Sequence, residues 1–209
     1  MAEQVSQDAP VVKQCQVRKV VEIPLDGFER PASFISFHHM VDNREHIAIG
    51  LGDWKSVDAP LVRIHSECLT GDVFGSQKCD CGPQLTEAMK RIYQHGGLIL
   101  YLRQEGRGIG LYNKLDAYQL QAEGKNTYEA NVHLGFGEDM RDYTAAAQML
   151  KALEISTLYL LSNNSDKQLQ LEKHGITVLD RRNTAVHANV HNKPYLSAKA
   201  DVKGHDILL

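Results

Sequence analysis

The sequence predicts an α+β (mixed α/β) fold, with antiparallel N-terminal strands followed by alternating strands and helices. Two observations carry that expectation. Up to residue 65, short β-like runs are separated by turn residues, and from Pro83 onward apolar positions recur at helical spacing between short apolar runs. A third concerns organisation: no internal repeat and no low-complexity linker divides the 209 residues, so one domain is expected.

Taken in order, residues 1–16 are polar and without period, and read as a flexible tail ahead of a single unit over 17–209. β-like runs follow at 19–24, 32–37, 46–51 and 61–65, separated by Asp26-Gly27, Asp42-Asn43 and Gly52-Asp53 as turn chemistry. These four runs read as an antiparallel meander. Pro83 suits a first helical turn, and Leu85, Met89, Ile92 and Tyr93 keep helical spacing until Gly96-Gly97 stops them. Residues 98–102 read as a buried strand. The loop Glu105-Gly106-Arg107-Gly108-Ile109-Gly110 then leads into a helix over about 111–123, with Gly124 as its stop. Residues 144–153 look helical and 158–161 look like a strand. Ser162-Asn163-Asn164-Ser165 offers N-caps for a helix ending at His174-Gly175, and a strand follows at 176–179. Such alternation implies a partly parallel sheet. Nothing is assigned after Asn183.

The chain is 43% hydrophobic and 23% charged, with a net charge of −3. No excess of Lys and Arg is available to replace the counterions of duplex nucleic acid, so no nucleic-acid partner is expected. An anionic ligand must instead be met by a local group of cations. The N-terminus lacks a charged region followed by an apolar one, and the longest apolar runs are too short to cross a bilayer. A cytoplasmic protein without membrane contact is the expectation.

Four cysteines are present; Cys15 stands apart, while Cys68, Cys79 and Cys81 cluster. A single residue between Cys79 and Cys81 disfavours a mutual disulfide, and in a reducing compartment the group reads as metal-binding or catalytic. Three thiolates can hold one Zn²⁺ at roughly 2.3 Å each, leaving a position for water whose pKa falls towards ~7. With His65 as a fourth ligand the site would close and be structural. Spacing alone leaves both open.

Other groups join this candidate site. Glu105 and Arg107 bracket Gly106 in the glycine-rich loop, where backbone amides can approach an anion, Arg107 can clamp phosphate and Glu105 can hold Mg²⁺. Lys167 falls in the first turn of a helix, a natural anion position. In Glu138-Asp139-Met140-Arg141-Asp142, Asp139 can act as a general base beside Arg141. Tyr118, on the helix after the glycine loop, is a candidate proton donor or a core tyrosine. Arg63 and His65 end a strand just before Glu67-Cys68. Each feature alone has an ordinary explanation, as solvated charges or a capped helix; converging, they fit hydrolysis of a nucleotide.

The motifs Arg63-Ile-His-Ser-Glu-Cys-Leu-Thr-Gly-Asp, Cys79-Asp-Cys-Gly-Pro-Gln84-Leu and Arg103-Gln-Glu-Gly-Arg-Gly-Ile-Gly-Leu closely resemble GTP cyclohydrolase II of riboflavin biosynthesis. The resemblance continues through Asn113-Lys114, Glu129-Ala130-Asn131, Leu134-Gly-Phe, Asp139-Met-Arg141-Asp142, Ser162-Asn-Asn and Tyr195-Leu196. It implies one catalytic zinc per subunit on Cys68, Cys79 and Cys81, whose water attacks C8 of guanine so that the carbon leaves as formate. It also implies attack of Arg141 on the α-phosphorus with loss of pyrophosphate, Asp139 accepting a proton, and a catalytic role for Tyr118. Implied GTP contacts are Arg63, His65, Ser66, Glu67, Gln84, Glu105, Gly106, Arg107, Thr127, Ser162 and Lys167. Mg²⁺ on the triphosphate and a homodimer are further expectations, and the product would be 2,5-diamino-6-ribosylamino-4(3H)-pyrimidinone 5′-phosphate.

Some positions depart from the family pattern. Ser162 stands where Thr is usual, and Lys78 where Arg is usual before the Cys-x-Cys; residues 26–43 differ from the usual opening. None of these removes a chemical group. Two alternatives stay open on sequence: a paralogue that stops at the formamidopyrimidine or serves another pathway, and a non-catalytic zinc module that would need a fourth ligand.

Overall fold

The structure is a computed structural model that describes residues 13–197 except Glu138 and Pro194. The sequence expectation for residues 1–12 therefore lies outside the described residues. The rest of the expected tail departs from it: strand β1 (Gln16–Ile23) starts at Gln16, and Cys15 is buried against Met40.

One seven-stranded sheet organises the chain, in the order β1-β2-β3-β5-β4-β6-β7. The strands β2 (Ala32–His38), β3 (Ile47–Leu51), β4 (Leu61–Ser66), β5 (Gly97–Leu102), β6 (Thr157–Leu161) and β7 (Thr177–Arg182) follow β1. β1, β2 and β3 pair antiparallel, as does β3 with β5; the remaining neighbours β5-β4, β4-β6 and β6-β7 are parallel. The mixed α/β class thus holds, with one correction to the meander. Its fourth run, β4, does not pair with β3 but sits between β5 and β6. The physical reason is burial on both faces: five of the six residues of β4 are buried, which suits the centre of a parallel region rather than a half-solvated hairpin.

Helices cover both faces. Helix α2 (Cys81–His95) lays Leu85, Ala88, Met89 and Ile92 against Leu51, Leu61, Ile99 and Leu161. Leu85, Met89 and Ile92 are positions the sequence pattern singled out, and Ala88 completes an i, i+3, i+4, i+7 stripe. Truncating Ile92, which is fully enclosed, to Ala would cost about 2–5 kcal/mol. Gly96, at φ 82°, ends the helix in a conformation unfavourable for other residues. On the opposite face, α5 (Thr144–Ala152) packs Ala145, Ala146, Met149 and Leu150 onto Val62, Ile64, Leu98 and Leu100, and Leu171 of α6 (Ser165–Lys173) joins them. β5 shows the two-residue period directly: Leu98, Leu100 and Leu102 face α5, and Ile99 faces α2.

Three short elements lie between these: α1 (Leu69–Asp72), a 3-10 turn over Glu105–Gly108 before α3 (Leu111–Ala122), and α4 (Thr127–His133). The connection leaving β4 crosses one face through α2 while that leaving β6 crosses the other through α6. Their divergence at the carboxyl ends of β4 and β6 opens a crevice, the position where open α/β sheets bind ligands.

Candidate active site

A cleft lies at those carboxyl ends. Arg63, His65 and Ser66 of β4 line it, with Gln104 to Arg107 after β5, Ser162 to Asn164 after β6 and Thr184 after β7. Lys114, Ala117, Tyr118 and Gln121 of α3 close one side, again at i, i+3, i+4 and i+7. Among the sequence candidates, only Asp139 does not line the cleft; it reaches it through Arg141.

Cys68 precedes α1, while Cys79 and Cys81 lead into α2, so the thiols meet where two helix starts approach each other. Two glycines permit this. A side chain at Gly71 would meet the sulfurs of Cys79 at 2.9 Å and Cys68 at 3.1 Å, and one at Gly82 would collide with the Gly71 carbonyl. The three Sγ atoms lie within 4.8 Å of one another, with Cys68 and Cys79 3.6 Å apart. Bonds of ~2.3 Å in a tetrahedral shell place sulfurs ~3.8 Å apart, so this donor set fits a zinc ion. Hydrogen bonds from Cys79 and Cys81, with Lys114 nearby, hold Cys68 well below the ordinary thiol value; Cys79, bonded to Cys68, is pushed up to about 11.

His65 does not join this group. Its Nδ1 accepts from Arg63 Nε at 3.4 Å, which leaves Nε2 to donate to Asp72 Oδ2 at 3.0 Å. Burial keeps the ring below its ordinary pKa, and it stacks on Tyr101 at 5.4 Å between centroids. Asp72 also accepts from Tyr101 Oη at 2.8 Å and from the Cys68 amide at 3.0 Å. His65 thus steadies the Cys68 backbone through Asp72, and among the described residues the metal-ligating cluster contains the three cysteines alone. The fourth-ligand option for His65 is not what the geometry provides.

Glu105 also departs from expectation. Its Oε2 accepts from the Leu69 amide at 2.7 Å, and its Oε1 from Lys114 Nζ at 2.7 Å and the Gly106 amide at 3.0 Å. Both oxygens are committed to protein donors, so the carboxylate ties the glycine loop to α1 rather than standing free for Mg²⁺. Lys114 bonds in addition to Thr70 Oγ1 at 3.0 Å and Cys68 Sγ at 3.2 Å. Thr70 in turn meets the Tyr118 hydroxyl at 3.3 Å, and Lys78 lies 5.1 Å over the Tyr118 ring. Burial keeps that phenol protonated beyond its ordinary range.

Cations line the rest of the cleft. Arg63 is buried and donates to Gln84 at 2.8 Å, and Gln84 donates to Asp80 at 2.6 Å. Glu67 is held by Arg103 at 2.8 Å, and Ser66 donates to Gln104 at 3.4 Å. Arg107 adopts a left-handed backbone, φ 61°, a conformation that costs a non-glycine residue about 1–2 kcal/mol. Its guanidinium lies 4.1 Å over Tyr128 and 5.7 Å from Tyr195, and its buried Nη1 has no hydrogen-bond partner. Such an orphan in a cleft wall is a donor available to an anion. Thr127 opens α4, whose start is fixed by a capping box between Asn126 and Glu129. Lys167 Nζ donates to the Ile64 carbonyl at 2.7 Å, and Ser162 Oγ accepts from the Asn164 amide at 3.0 Å.

Asp139 and Arg141 lie on the irregular segment between α4 and α5. Arg141 Nε donates to both oxygens of Asp139, at 2.9 and 3.1 Å, and Nη2 adds a short contact to Oδ2. Burial opposes charge on both groups, yet Arg141 holds Asp139 below its ordinary pKa, and Tyr143 together with Asp139 holds Arg141 above its own. In the resting protein the proton therefore stays on the guanidinium.

Sequence reasoning missed Lys114, Gln104, Asn163, Thr184 and Tyr195 as cleft residues. For Lys114 a signal existed: it shares the α3 face of Ala117, Tyr118 and Gln121, so a lysine occupied a position pointing inward. Thr184 and Tyr195 lie in the stretch where no periodicity was available.

Comparison with known proteins gives a consistent picture. The family profile described as GTP cyclohydrolase II matches residues 18–183. The GTP cyclohydrolase-2 of Vibrio cholerae is 54% identical over 182 residues, covering 85% of this chain and 90% of its own length. That of Aliivibrio salmonicida is 53% identical over 194 residues, covering 92% and 97%. Riboflavin biosynthesis protein RibBA of Cytophaga hutchinsonii is 48% identical over 175 residues, which is 83% of this chain and 43% of the longer relative.

Proposed function

The chain belongs to the GTP cyclohydrolase II family, and from that premise we propose a two-part site that hydrolyses GTP to 2,5-diamino-6-ribosylamino-4(3H)-pyrimidinone 5′-phosphate, formate and pyrophosphate, in riboflavin biosynthesis. The observation that carries it is the presence, around one cleft, of a three-thiol cluster and an arginine engaged by its own carboxylate. The first suits hydrolytic opening of a purine ring; the second suits displacement at phosphorus.

Cys68, Cys79 and Cys81 would hold the zinc. When bound, it supplies the Lewis acidity that makes water nucleophilic near neutral pH. The protein's own groups orient the base. Arg63, held by Gln84, and Glu67, held by Arg103, present polar groups in fixed positions, while the Tyr118 hydroxyl beside Thr70 keeps its proton for donation. At the phosphate the arginine must lose a proton to attack. Because the resting pair holds that proton on Arg141, transfer to Asp139 accompanies formation of the N–P bond, as the bond to pyrophosphate breaks. Water then cleaves the N–P bond to release the monophosphate. Arg107, with Nη1 unsatisfied, and Lys167 are the cations that meet the phosphates. Gly106, Thr127, Ser162, His65 and Ser66 complete the GTP contacts.

Mg²⁺ on the triphosphate, a homodimer, a cytoplasmic location and one catalytic domain over 17–209 belong to the same reading. No helix among the described residues is long and apolar enough to cross a membrane. The test is incubation of the pure protein with GTP, Mg²⁺ and Zn²⁺, with products identified by mass. Formate, pyrophosphate and the diaminopyrimidine phosphate are expected. A formylated pyrimidine would restrict the enzyme to ring opening, and unchanged GTP would refute the reading.

A further inference from the structure

Among the described residues, Lys114 is the buried cation that touches the thiol cluster directly. Its ammonium has three N–H bonds, and three acceptors surround it: Cys68 Sγ at 3.2 Å, Thr70 Oγ1 at 3.0 Å and Glu105 Oε1 at 2.7 Å. The three N–H bonds of the ammonium are therefore all used. Lys114 is 7% exposed, so these bonds form where solvent screening is weak.

Its partners come from separate elements. Cys68 and Thr70 lie at and after the start of α1, Glu105 lies in the 3-10 turn after β5, and Lys114 itself is on α3. Glu105 returns to the Leu69 amide with its other oxygen. A closed loop of contacts results, running from Cys68 through Lys114 and Glu105 back to Leu69. Holding a ligating side chain by a second layer of hydrogen bonds is what fixes the geometry of a metal site.

Charge points the same way. Three thiolates around a divalent ion leave the centre net negative in a buried place, which is unfavourable unless a cation is close. Glu105 adds a further negative charge nearby. Among the described residues Lys114 alone has its ammonium bonded to one of the three sulfurs.

We infer that Lys114 is a positioning residue of the metal centre, holding the Cys68 sulfur and offsetting the excess negative charge of the three thiolates. This rests on the zinc reading above. The competing role is purely structural: the lysine would serve only to pair with buried Glu105. Removing Lys114 alone leaves that carboxylate without its partner and endangers folding. The decisive variant is therefore the double substitution Lys114→Met/Glu105→Gln, which removes both charges and keeps an acceptor for Leu69.

The measurements are metal affinity, by competition of a chromogenic chelator for zinc, and the thiolate-to-metal charge-transfer band after loading with Co²⁺. Wild-type protein should bind one equivalent. The double variant should unfold cooperatively like wild type yet bind zinc at least about tenfold more weakly. Its cobalt band should move to lower energy, because a thiolate freed of an N–H donor gives up charge more readily. A double variant with wild-type affinity and an unmoved band would overturn the role of Lys114 while leaving the zinc reading intact. Wild-type protein that takes up neither zinc nor cobalt would overturn the zinc reading, and the role of Lys114 with it.

Discussion

The two halves of the cleft are built differently. Around the thiols nearly every polar group already has a protein partner: Asp72 accepts three hydrogen bonds, Glu105 accepts three, and Lys114 donates three. The thiols they surround lie at the starts of α1 and α2, while Asp72 ends α1, Glu105 lies in the turn after β5 and Lys114 lies on α3, so four elements brace one another there. Asp139 and Arg141 instead lie on an irregular segment, held by each other, and Arg107 is held by stacking with its Nη1 unsatisfied. The first half is complete as an arrangement of protein atoms. The second leaves hydrogen-bonding capacity for something anionic to use. A site can thus be prepared in two ways: by rigid support of ligating atoms, or by reserving donors for the ligand.

That contrast makes separable predictions. Cys79→Ser removes one ligand of the prepared half, and formate release should disappear while pyrophosphate release persists, as followed by mass analysis. Simultaneous loss of both would mean that the halves do not act independently. Asp139→Asn should do the reverse. Pyrophosphate release should fall about 10²–10⁴-fold, the usual contribution of a positioned base, with zinc content measured by elemental analysis unchanged.

A smaller effect tests the reserved donors. Tyr128→Leu removes the ring under Arg107, worth about 0.5–2 kcal/mol, so KM for GTP should rise by up to about 30-fold with kcat less affected. Tyr128→Phe keeps the ring face and should restore it. The smallest effect lies outside the cleft. Burial holds His46 below its ordinary value of 6.5, with Nδ1 accepting from the Arg103 amide and Nε2 facing Asp42. The unfolded chain therefore takes up a proton that the folded chain refuses. This contribution to stability is present above about pH 6.5 and is lost as pH falls through the lowered folded value. The unfolding free energy from urea titrations between pH 7 and pH 5 should decline, by no more than about 1.4 kcal/mol per pH unit from this group, and His46→Gln should flatten the decline.

Much of the scaffold was legible because its signals are local. The stripe Leu85, Met89, Ile92 and the alternation through β5 each report a face buried against something. What they are buried against is not local information, and β4 illustrates it: the turn residues Gly52-Asp53 before it suggested a meander, but strand pairing is decided by burial on both faces. Helix α4 was missed since its seven residues carry no apolar period, although the Asn126 and Glu129 pair offered a capping signal. In the site, the cysteines were legible from residue type. Glu105 was not, because the amide and ammonium that saturate it come from Leu69 and Lys114, which no local pattern connects to it.

The position of β4 between β5 and β6 has a consequence for how the chain is made. The thiols leave the ribosome by residue 81, but β6 ends at Leu161, and the lysine that caps the Ile64 carbonyl lies 103 residues after it. Two of the sheet's three parallel pairings must therefore wait for the second half of synthesis, a pattern of distant contacts that slows folding. Throughout that interval three reactive sulfurs emerge without the walls that later enclose them. A nascent chain of this topology depends on its surroundings to keep those sulfurs reduced until the last parallel strands arrive.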